Sequence, residues 1–251
     1  MKNIIKLIKK KIKKYKKKKN LSNFNFSLLE VKNPKNRKIR VGKDNDGGYI
    51  IVDNLEYDLI IGCGISDDIS FEKDMSLKFP NIEILAYDGT IDNLPESNNK
   101  IQFIKKNISD KETNTTTNLK NVIRNYKNIL LKMDIEGGEY PFFNSLNKDE
   151  LNKFNQIVIE IHNTINTKLS HPLLTKLNTT HNLVHIHANN YSKVYVDDDK
   201  ILPNVIEVTY IRKDYEIDGF NTLRIPTDLD MPNKKKSKDV KLENYPYCFP
   251  K

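Results

Sequence analysis

The chain alternates short apolar segments with amphipathic ones, and this alternation constrains its fold more than any other feature. The segments YDLIIG, IEILAYD, IQFIKK, NILLKMD and QIVIEIH have the length and composition of buried strands. Segments with helical spacing, namely SDDISFEKDMSLKF, TNLKNVIRNY and HPLLTKLNTTH, lie between them. Such alternation predicts an α/β fold whose mostly parallel sheet carries helices on both faces. NLVHIHANN and NVIEVTYIRK have only a loop between them, so we expect seven strands with an antiparallel hairpin at one edge.

Composition divides the chain into four parts. Residues 1–20 hold eleven lysines and no acidic residue. The rest of the chain is nearly balanced, with 31 basic and 33 acidic residues, although the formal net charge of the whole is +9. We predict a basic amphipathic or disordered arm over residues 1–20 and a linker over residues 21–38. The alternating domain then spans residues 39–225, and an irregular C-terminal wrap spans residues 226–251. At the start of the domain, VGKDNDGGYIIVD predicts a hairpin or a lead-in strand.

Three interpretations are open for the basic arm. Ile4, Ile8 and Ile12 recur at helical spacing among the lysines, which is typical of a helix lying on an anionic membrane surface. The same lysines would bind nucleic-acid phosphates, or they would simply be solvated. The near-neutral body disfavours nucleic acid as the partner.

The cysteine count and the apolar runs bear on the compartment. Cys63 and Cys248 are too few for a disulfide framework, which indicates a reducing environment. The start of the chain lacks the apolar core and cleavage site of a secretory signal, and no apolar run approaches the roughly 20 residues of a membrane span. We therefore expect a cytoplasmic protein that is not secreted and that the arm places peripherally on a membrane in one of the alternatives above.

Polar residues follow the predicted strands at the point where each strand ends. In doubly wound sheets, ligands bind beyond these carboxyl ends. The residues in such positions are Gly62, Cys63, Gly64, Asp88, Asn107, Ile108, Ser109, Asp134, Glu136, Glu160, His162, His187, Asn189 and Asn190. Their convergence on one edge of the sheet predicts a binding site there.

A glycine pair and a later acid indicate the kind of ligand. Asp88 lies 24 residues after Gly64, the spacing at which a strand-end carboxylate accepts hydrogen bonds from a ribose. Both NAD and S-adenosylmethionine (SAM) carry such a ribose. Asp67 and Asp68 would repel a pyrophosphate at the helix N-terminus, whereas SAM has no phosphate and carries two cationic groups. The sequence therefore favours SAM.

Several motifs, in this order, resemble the FkbM-type SAM-dependent methyltransferases. They are DNDGGYIIVD, IIGCGISDDISFEKDM, ILAYDGT, LLKMDIEGGEYPFF, IVIEIH, HIHANN and VIEVTYIRK, over residues 40–212. KMDIEGGEY is similar to the family signature K-[IM]-D-[IV]-E-G-x-E, whereas the glycine loop departs from G-x-G-x-G at Ser66. The resemblance implies a Rossmann-like sheet, SAM as cofactor and a sugar or glycan substrate.

The resemblance also implies roles for individual residues. It places Gly62, Cys63 and Gly64 along the methionine part of SAM, Asp88 on the ribose, and Asn107, Ile108 and Ser109 near the adenine. It places Asp134 and Glu136 toward the methionine ammonium and the incoming substrate.

Transfer of a methyl group to a hydroxyl needs a group that takes the hydroxyl proton. We predict catalytic roles for Asp134, Glu136, His162 and His187, and substrate binding by Glu160, Asn189 and Asn190. In a second version Asp134, Glu160 and His162 hold a divalent metal that acidifies the hydroxyl. Glu139 is expected to complement the dipole of a following helix.

Three functions follow from these patterns. The first is an O-methyltransferase acting on a sugar or glycan. The second is an RNA methyltransferase that uses the basic arm. The third is a non-enzymatic membrane-binding module.

Overall fold

A computed structural model describes residues 16–249 of the chain. The strands in this range are β1 (Lys16–Lys18), β2 (Lys32–Pro34), β3 (Lys38–Val41), β4 (Tyr49–Val52), β5 (Leu59–Cys63), β6 (Ile84–Tyr87), β7 (Ile101–Ile104), β8 (Asn107–Ile108), β9 (Thr116–Thr117), β10 (Ile129–Met133), β11 (Phe154–His162), β12 (His181–Ala188), β13 (Val194–Asp197), β14 (Lys200–Pro203), β15 (Val205–Arg212) and β16 (Ile217–Phe220). The helices are a 3-10 helix (Phe26–Leu29), α1 (Ser70–Lys78), α2 (Lys120–Ile123), α3 (Glu139–Ser145), α4 (Lys148–Leu151) and α5 (Thr167–Thr180).

The central sheet has seven strands in the order β12-β15-β11-β10-β5-β6-β7. Neighbouring strands are parallel except at β15, which is antiparallel to both β11 and β12. The predicted α/β fold, its strand number and its antiparallel pair are therefore confirmed. β15 is inserted between β11 and β12, so the first strand of the pair forms the edge. The connection within the pair is also more than a loop, since it contains the hairpin β13–β14.

Apolar cores cover both faces of the sheet. Leu131 and Ile159 belong to the core on the face of α3 and α5, whereas Leu130 and Val158 belong to the core on the opposite face. The opposite face packs against α1 and against the hairpin formed by β3 and β4, which was the predicted lead-in hairpin. All five residues of β10 are buried, because this strand is covered on both sides.

The segment over residues 21–38 does not behave as a free linker. Leu21, Phe24, Phe26, Leu29 and Val31 are buried in the core, and the segment contains the 3-10 helix and β2. Five large apolar side chains within eleven residues explain this, since leaving them in water would cost more than ordering the segment.

The predicted arm lies mostly outside the described residues. Its last part, Lys16–Lys18, pairs with β13 as a short parallel strand rather than continuing a helix. The helix predicted for TNLKNVIRNY is also shorter than expected. Only Lys120–Ile123 are helical, and Leu119 before them has a left-handed backbone with φ 59°. Among the described residues, no helix combines the length and apolar character of a bilayer span.

The tail over residues 226–249 has no helix or strand, and it is firmly attached to the sheet. His185 Nε2 lies 2.8 Å from Asp230 Oδ1, and His187 Nε2 lies 2.9 Å from Asp239 Oδ2. The Asn190 amide contacts the backbone of Lys234 and of nearby tail residues. The tail therefore lies across the ends of β12 and β15.

Candidate active site

The loop after β5 is held by Asp88 at the end of β6. Asp88 Oδ2 accepts hydrogen bonds from the backbone amides of Ile65, at 2.9 Å, and Ser66, at 2.8 Å. Its other oxygen accepts from the backbone and hydroxyl of Thr90. Burial opposes charge on Asp88, but these hydrogen bonds outweigh it and lower the pKa of its carboxyl. Asp88 thus shapes the glycine loop as well as facing the cavity beside it.

The backbone conformation at position 64, and the space beside it, allow only glycine there. Its φ is +79°, and a Cβ there would collide with the carbonyl oxygen of Asp134. The loop after β5 therefore lies directly against the end of β10. This contact brings the two signature segments, GCG and KMD, into one site.

A cavity of about 420 Å³ opens at this edge of the sheet, large enough for a nucleoside cofactor. Of the predicted cofactor residues, Gly64, Asp88, Asn107 and Ile108 line it. Gly62, Cys63 and Ser109 are not on its wall. The Cys63 side chain is fully buried, and burial raises the pKa of its thiol, so this residue contributes its backbone. Ser109 instead donates from its hydroxyl to Asp110.

A group of carboxylates surrounds His162 next to the cavity. His162 Nε2 lies 3.2 Å from Glu160 Oε1, 3.3 Å from Glu136 Oε2 and 3.9 Å from Asp134 Oδ1. His162 Nδ1 lies 3.3 Å from Glu139 Oε1. Burial disfavours the charged ring, but Glu139 and Glu160 outweigh it and raise the pKa of His162 to about 10. The ring is therefore an imidazolium near neutral pH when no other cation is bound.

Asp134 and Glu136 differ in position although they stand two residues apart. Both line the cavity. The Asp134 side chain is partly buried, with Oδ2 3.3 Å from the Tyr49 hydroxyl. The Glu136 side chain is 87% exposed and has a left-handed backbone with φ 52°. Asp134 is thus fixed at the cavity wall, while Glu136 stands at its rim.

Glu139 is the first residue of α3, as its predicted helix-dipole role requires, and it does more. It is fully buried, and its carboxylate accepts hydrogen bonds from the Gly137 amide, at 2.7 Å, and the His162 amide, at 2.9 Å. It therefore joins the turn after β10 to the end of β11.

Glu160 belongs to a row of polar residues across three strands. It is the register partner of Glu207 on β15, and Glu207 is the partner of His187 on β12. Burial, with added repulsion from Asp134 and Glu207, raises the pKa of the Glu160 carboxyl. Asn189 donates to both Glu160 oxygens at 3.2 Å. Glu160 and Asn189, both predicted for substrate, thus lie with the His162 cluster.

The structure does not bring His187 and Asn190 into this cluster. His187 is 2% exposed, and both ring nitrogens are engaged, Nδ1 by Glu207 at 3.1 Å and Nε2 by Asp239 at 2.9 Å. The Asn190 amide is used by the tail backbone. The physical reason is the tail, which covers the end of β12 and which strand-end position alone does not reveal.

Sequence reasoning missed several residues of the cavity wall. The three whose side chains bear most on the chemistry are Tyr49, Glu72 and Lys132. Lys132 offered a signal, since a lysine inside the buried strand sequence ILLKM needs a partner; its Nζ donates to the carbonyl oxygen of Gly64 at 3.0 Å. Tyr49 and Glu72 looked like ordinary strand and helix residues.

The fold and this site together define a SAM-dependent methyltransferase. A parallel sheet with a single antiparallel strand carries the glycine loop, the ribose-type acid and the signature acids at one edge. A family model described as the methyltransferase FkbM domain matches residues 33–192. The chain belongs to this family, which confirms the resemblance found in the sequence.

Comparison with solved structures gives distant likenesses only. The chain is similar to a fibrillarin/Nop5p complex (10% identity, TM-score 0.38, covering 63% of this chain and 74% of that one). It is also similar to precorrin-6y C5,15-methyltransferase from Geobacter metallireducens (10% identity, TM-score 0.37, covering 62% and 80%). A third is a 16S rRNA adenine methyltransferase from Catenulisporales acidiphilia (9% identity, TM-score 0.34, covering 70% and 99%). No protein of curated function matches the sequence significantly.

Proposed function

We propose that the protein transfers the methyl group of SAM to a hydroxyl of a sugar or glycan. The observation that carries this proposal is the cluster of Asp134, Glu160 and His162 with Asn189, immediately beside the cofactor cavity. Carboxylate and amide groups exchange hydrogen bonds with the many hydroxyls of a sugar. The same carboxylates would repel a polyanion at the point of reaction.

An exposed aromatic ring lies near this cluster. Tyr191 is largely exposed, and its amide donates to the Asn189 side chain at 2.9 Å. Lys234 of the tail lies with Nζ 5.6 Å from the centre of the Tyr191 ring. An aromatic face of this kind packs against the apolar face of a sugar ring, so it supports a carbohydrate acceptor.

In the proposed mechanism Asp134 takes the proton of the acceptor hydroxyl. When bound, SAM would supply an electrophilic methyl group on its sulfonium, and the acceptor oxygen would displace a neutral thioether from it. Asp134 is the partly buried carboxylate that both lines the cavity and contacts the His162 cluster, so it can reach a hydroxyl placed between them. Glu160 and Asn189 orient the hydroxyls of the acceptor.

A divalent metal at Asp134, Glu160 and His162 is an alternative within the same proposal. One ligand atom from each residue can be chosen so that all three lie within 4.8 Å of one another, which fits a shared ion. Such an ion would replace the proton on His162 and supply a Lewis acid that lowers the pKa of the acceptor hydroxyl.

The role of the basic arm is a separate proposal, because it concerns the partner of the arm and not the reaction. Residues 1–15 lie outside the described part of the chain, and their lysines are suited to an anionic membrane surface on its cytoplasmic side. An RNA acceptor bound through this arm is the second candidate function, favoured only by these lysines.

One experiment separates these candidates. The protein is incubated with SAM labelled in its methyl group and a panel of nucleotide sugars, oligosaccharides and RNA, with and without EDTA. We expect label in a carbohydrate. Label in RNA alone, lost when residues 1–20 are deleted, would overturn the glycan proposal. Loss of transfer in EDTA and its recovery with Mg²⁺ or Mn²⁺ would establish the metal version.

A further inference from the structure

Glu72 lines the cofactor cavity and has a buried carboxylate oxygen without a partner among the described residues. The residue lies in the first turn of α1, is 1% exposed and lines the cavity. Among residues 16–249, Glu72 Oε1 has no hydrogen-bond partner. A buried carboxylate without a partner is costly, so a group that pairs with it on binding would be held strongly.

Lys132 does not meet this need. Within the described part of the chain, no ion pair of 4.0 Å or less joins Lys132 to Glu72. The Lys132 ammonium instead donates to the Gly64 carbonyl and lies 5.2 Å from the centre of the Tyr49 ring. Burial raises the pKa of Glu72, and the more distant charge of Lys132 only opposes this. A cationic donor arriving in the cavity would favour the charged form of this carboxylate.

Gly62 marks where this carboxylate points. A Cβ on Gly62 would collide with Glu72 Oε1, so the carboxylate rests against the bare backbone of β5 near its end. Asp88, at the other end of the loop, holds the Ile65 and Ser66 amides and faces the ribose side of the cavity. Glu72 therefore lies beside the end of β5, next to the glycine loop, where the methionine part of a bound SAM is expected to extend.

We propose that Glu72 binds the α-ammonium of the methionine part of SAM. SAM carries two cationic groups, and the sulfonium must face the acceptor, which leaves the ammonium for the buried oxygen. With Glu72 binding the ammonium, Asp134 and Glu136 are not needed for that role and can interact with the acceptor. This assignment also explains the glycine at position 62, since a larger residue would displace the carboxylate.

The test compares two ligands that differ in one group: S-adenosylhomocysteine and its deaminated analogue, in which hydrogen replaces the α-amino group. Affinities are measured by calorimetry, and no acceptor is needed, so the result is independent of the acceptor class. The unaltered protein should bind S-adenosylhomocysteine roughly 10- to 100-fold more tightly than the analogue, as a charged hydrogen bond implies. In Glu72→Gln this preference should largely disappear, through weaker binding of S-adenosylhomocysteine alone.

Two further variants control for damage to the fold. Ser76→Ala changes a buried residue of the same helix whose hydroxyl bonds only to the Lys73 carbonyl, and it should keep the full preference. Gly62→Ala should reduce the preference as Glu72→Gln does. Equal binding of both ligands by the unaltered protein would overturn the proposal without any variant. Equal weakening of both ligands in Glu72→Gln, or an undiminished preference, would also overturn it.

Discussion

The edge of the sheet at which the parallel strands end has two halves, one at the glycine loop and Asp88 and one around His162. The two halves differ in how their charged groups are paired. In the cofactor half, both oxygens of Asp88 accept hydrogen bonds from Ile65, Ser66 and Thr90, so its charge is satisfied by the protein itself. In the half proposed to bind the acceptor, which we call the acceptor half, four carboxylates surround the imidazole of His162. In the cofactor half, the protein's own hydrogen bonds therefore satisfy the carboxylate that shapes the site. The acceptor half has more carboxylates than cationic groups to pair with them, and unbalanced charge of this kind is common at functional sites.

The two histidines at strand ends have similar electrostatics but different surroundings. His162 and His187 both have their pKa raised to about 10, by Glu139 and Glu160 in one case and by Asp239 and Glu207 in the other, against the effect of burial. His162 borders the cavity wall, whereas His187 is closed off by the tail. Similar electrostatics therefore occur at the proposed acceptor site and at a closed contact with the tail, and only packing distinguishes the two.

The largest expected effect is on catalysis through Asp134. Asp134→Asn keeps the shape of the side chain but removes the proton acceptor, so the rate of methyl transfer should fall by roughly 100- to 10,000-fold. Binding of S-adenosylhomocysteine should change little, because the cofactor scaffold does not use this carboxylate. The check is the initial rate with the carbohydrate found in the labelling panel, together with calorimetry. A variant that lost cofactor binding in parallel with the rate would place Asp134 in the cofactor half instead.

The next largest effect concerns stability, through the contacts of His187 with Glu207 and with Asp239 of the tail, which we call the tail lock. His187→Gln leaves the carboxylates of Glu207, which is buried, and Asp239, which is partly buried, without their shared cation, and it should lower the free energy of unfolding by about 3 kcal/mol. Urea unfolding measures this. The exposed pair of Lys35 and Glu216 gives the matched control, since Glu216→Gln should leave the urea midpoint unchanged. A midpoint for His187→Gln equal to that of the control would mean that the tail does not depend on this residue.

The pH dependence of that lock follows from the raised pKa of His187. In the folded protein this pKa is about 10, above the usual value of about 6.5. The interaction therefore stabilises fully below about pH 6.5 and is lost as the pH rises through 10. Glu207, Asp239 and Asp230 favour the charged ring, so the difference in unfolding free energy between the unaltered protein and His187→Gln should shrink between pH 7 and pH 10.5. A difference that stays constant over this range would show that His187 does not titrate in the folded state.

These contrasts explain how far the sequence could predict the molecule. The sheet, the glycine loop and Asp88 follow from local patterns, because apolar runs and strand-end residues lie close together along the chain. His187 and Asn190 were assigned to the site by the same reasoning, yet both are used by the tail. Their partners lie more than 40 residues away in a segment without periodicity. Long-range pairing with an irregular segment leaves no local signal.

The cofactor half should respond to Asp88→Ala with a smaller loss. Removing the carboxylate frees the Ile65, Ser66 and Thr90 amides, so the loop loses its shape and the affinity for S-adenosylhomocysteine should fall roughly 10- to 30-fold. Asp92→Asn is the matched control, since Asp92 lies nearby in sequence but pairs only with Lys105 at the surface. An affinity for Asp88→Ala within twofold of that control would refute the role of Asp88 in the site.

The smallest expected effect distinguishes the rim of the acceptor half from its wall. Glu136 stands two residues after Asp134, and its side chain is 87% exposed. An exposed carboxylate interacts weakly with its neighbours because water screens it, so Glu136→Gln should reduce the rate less than about threefold. The same labelling assay used for Asp134→Asn measures this. If Glu136→Gln instead lost as much rate as Asp134→Asn, the loop over residues 135–138 would have to close over the acceptor during the reaction, bringing Glu136 out of water and onto the reacting hydroxyl.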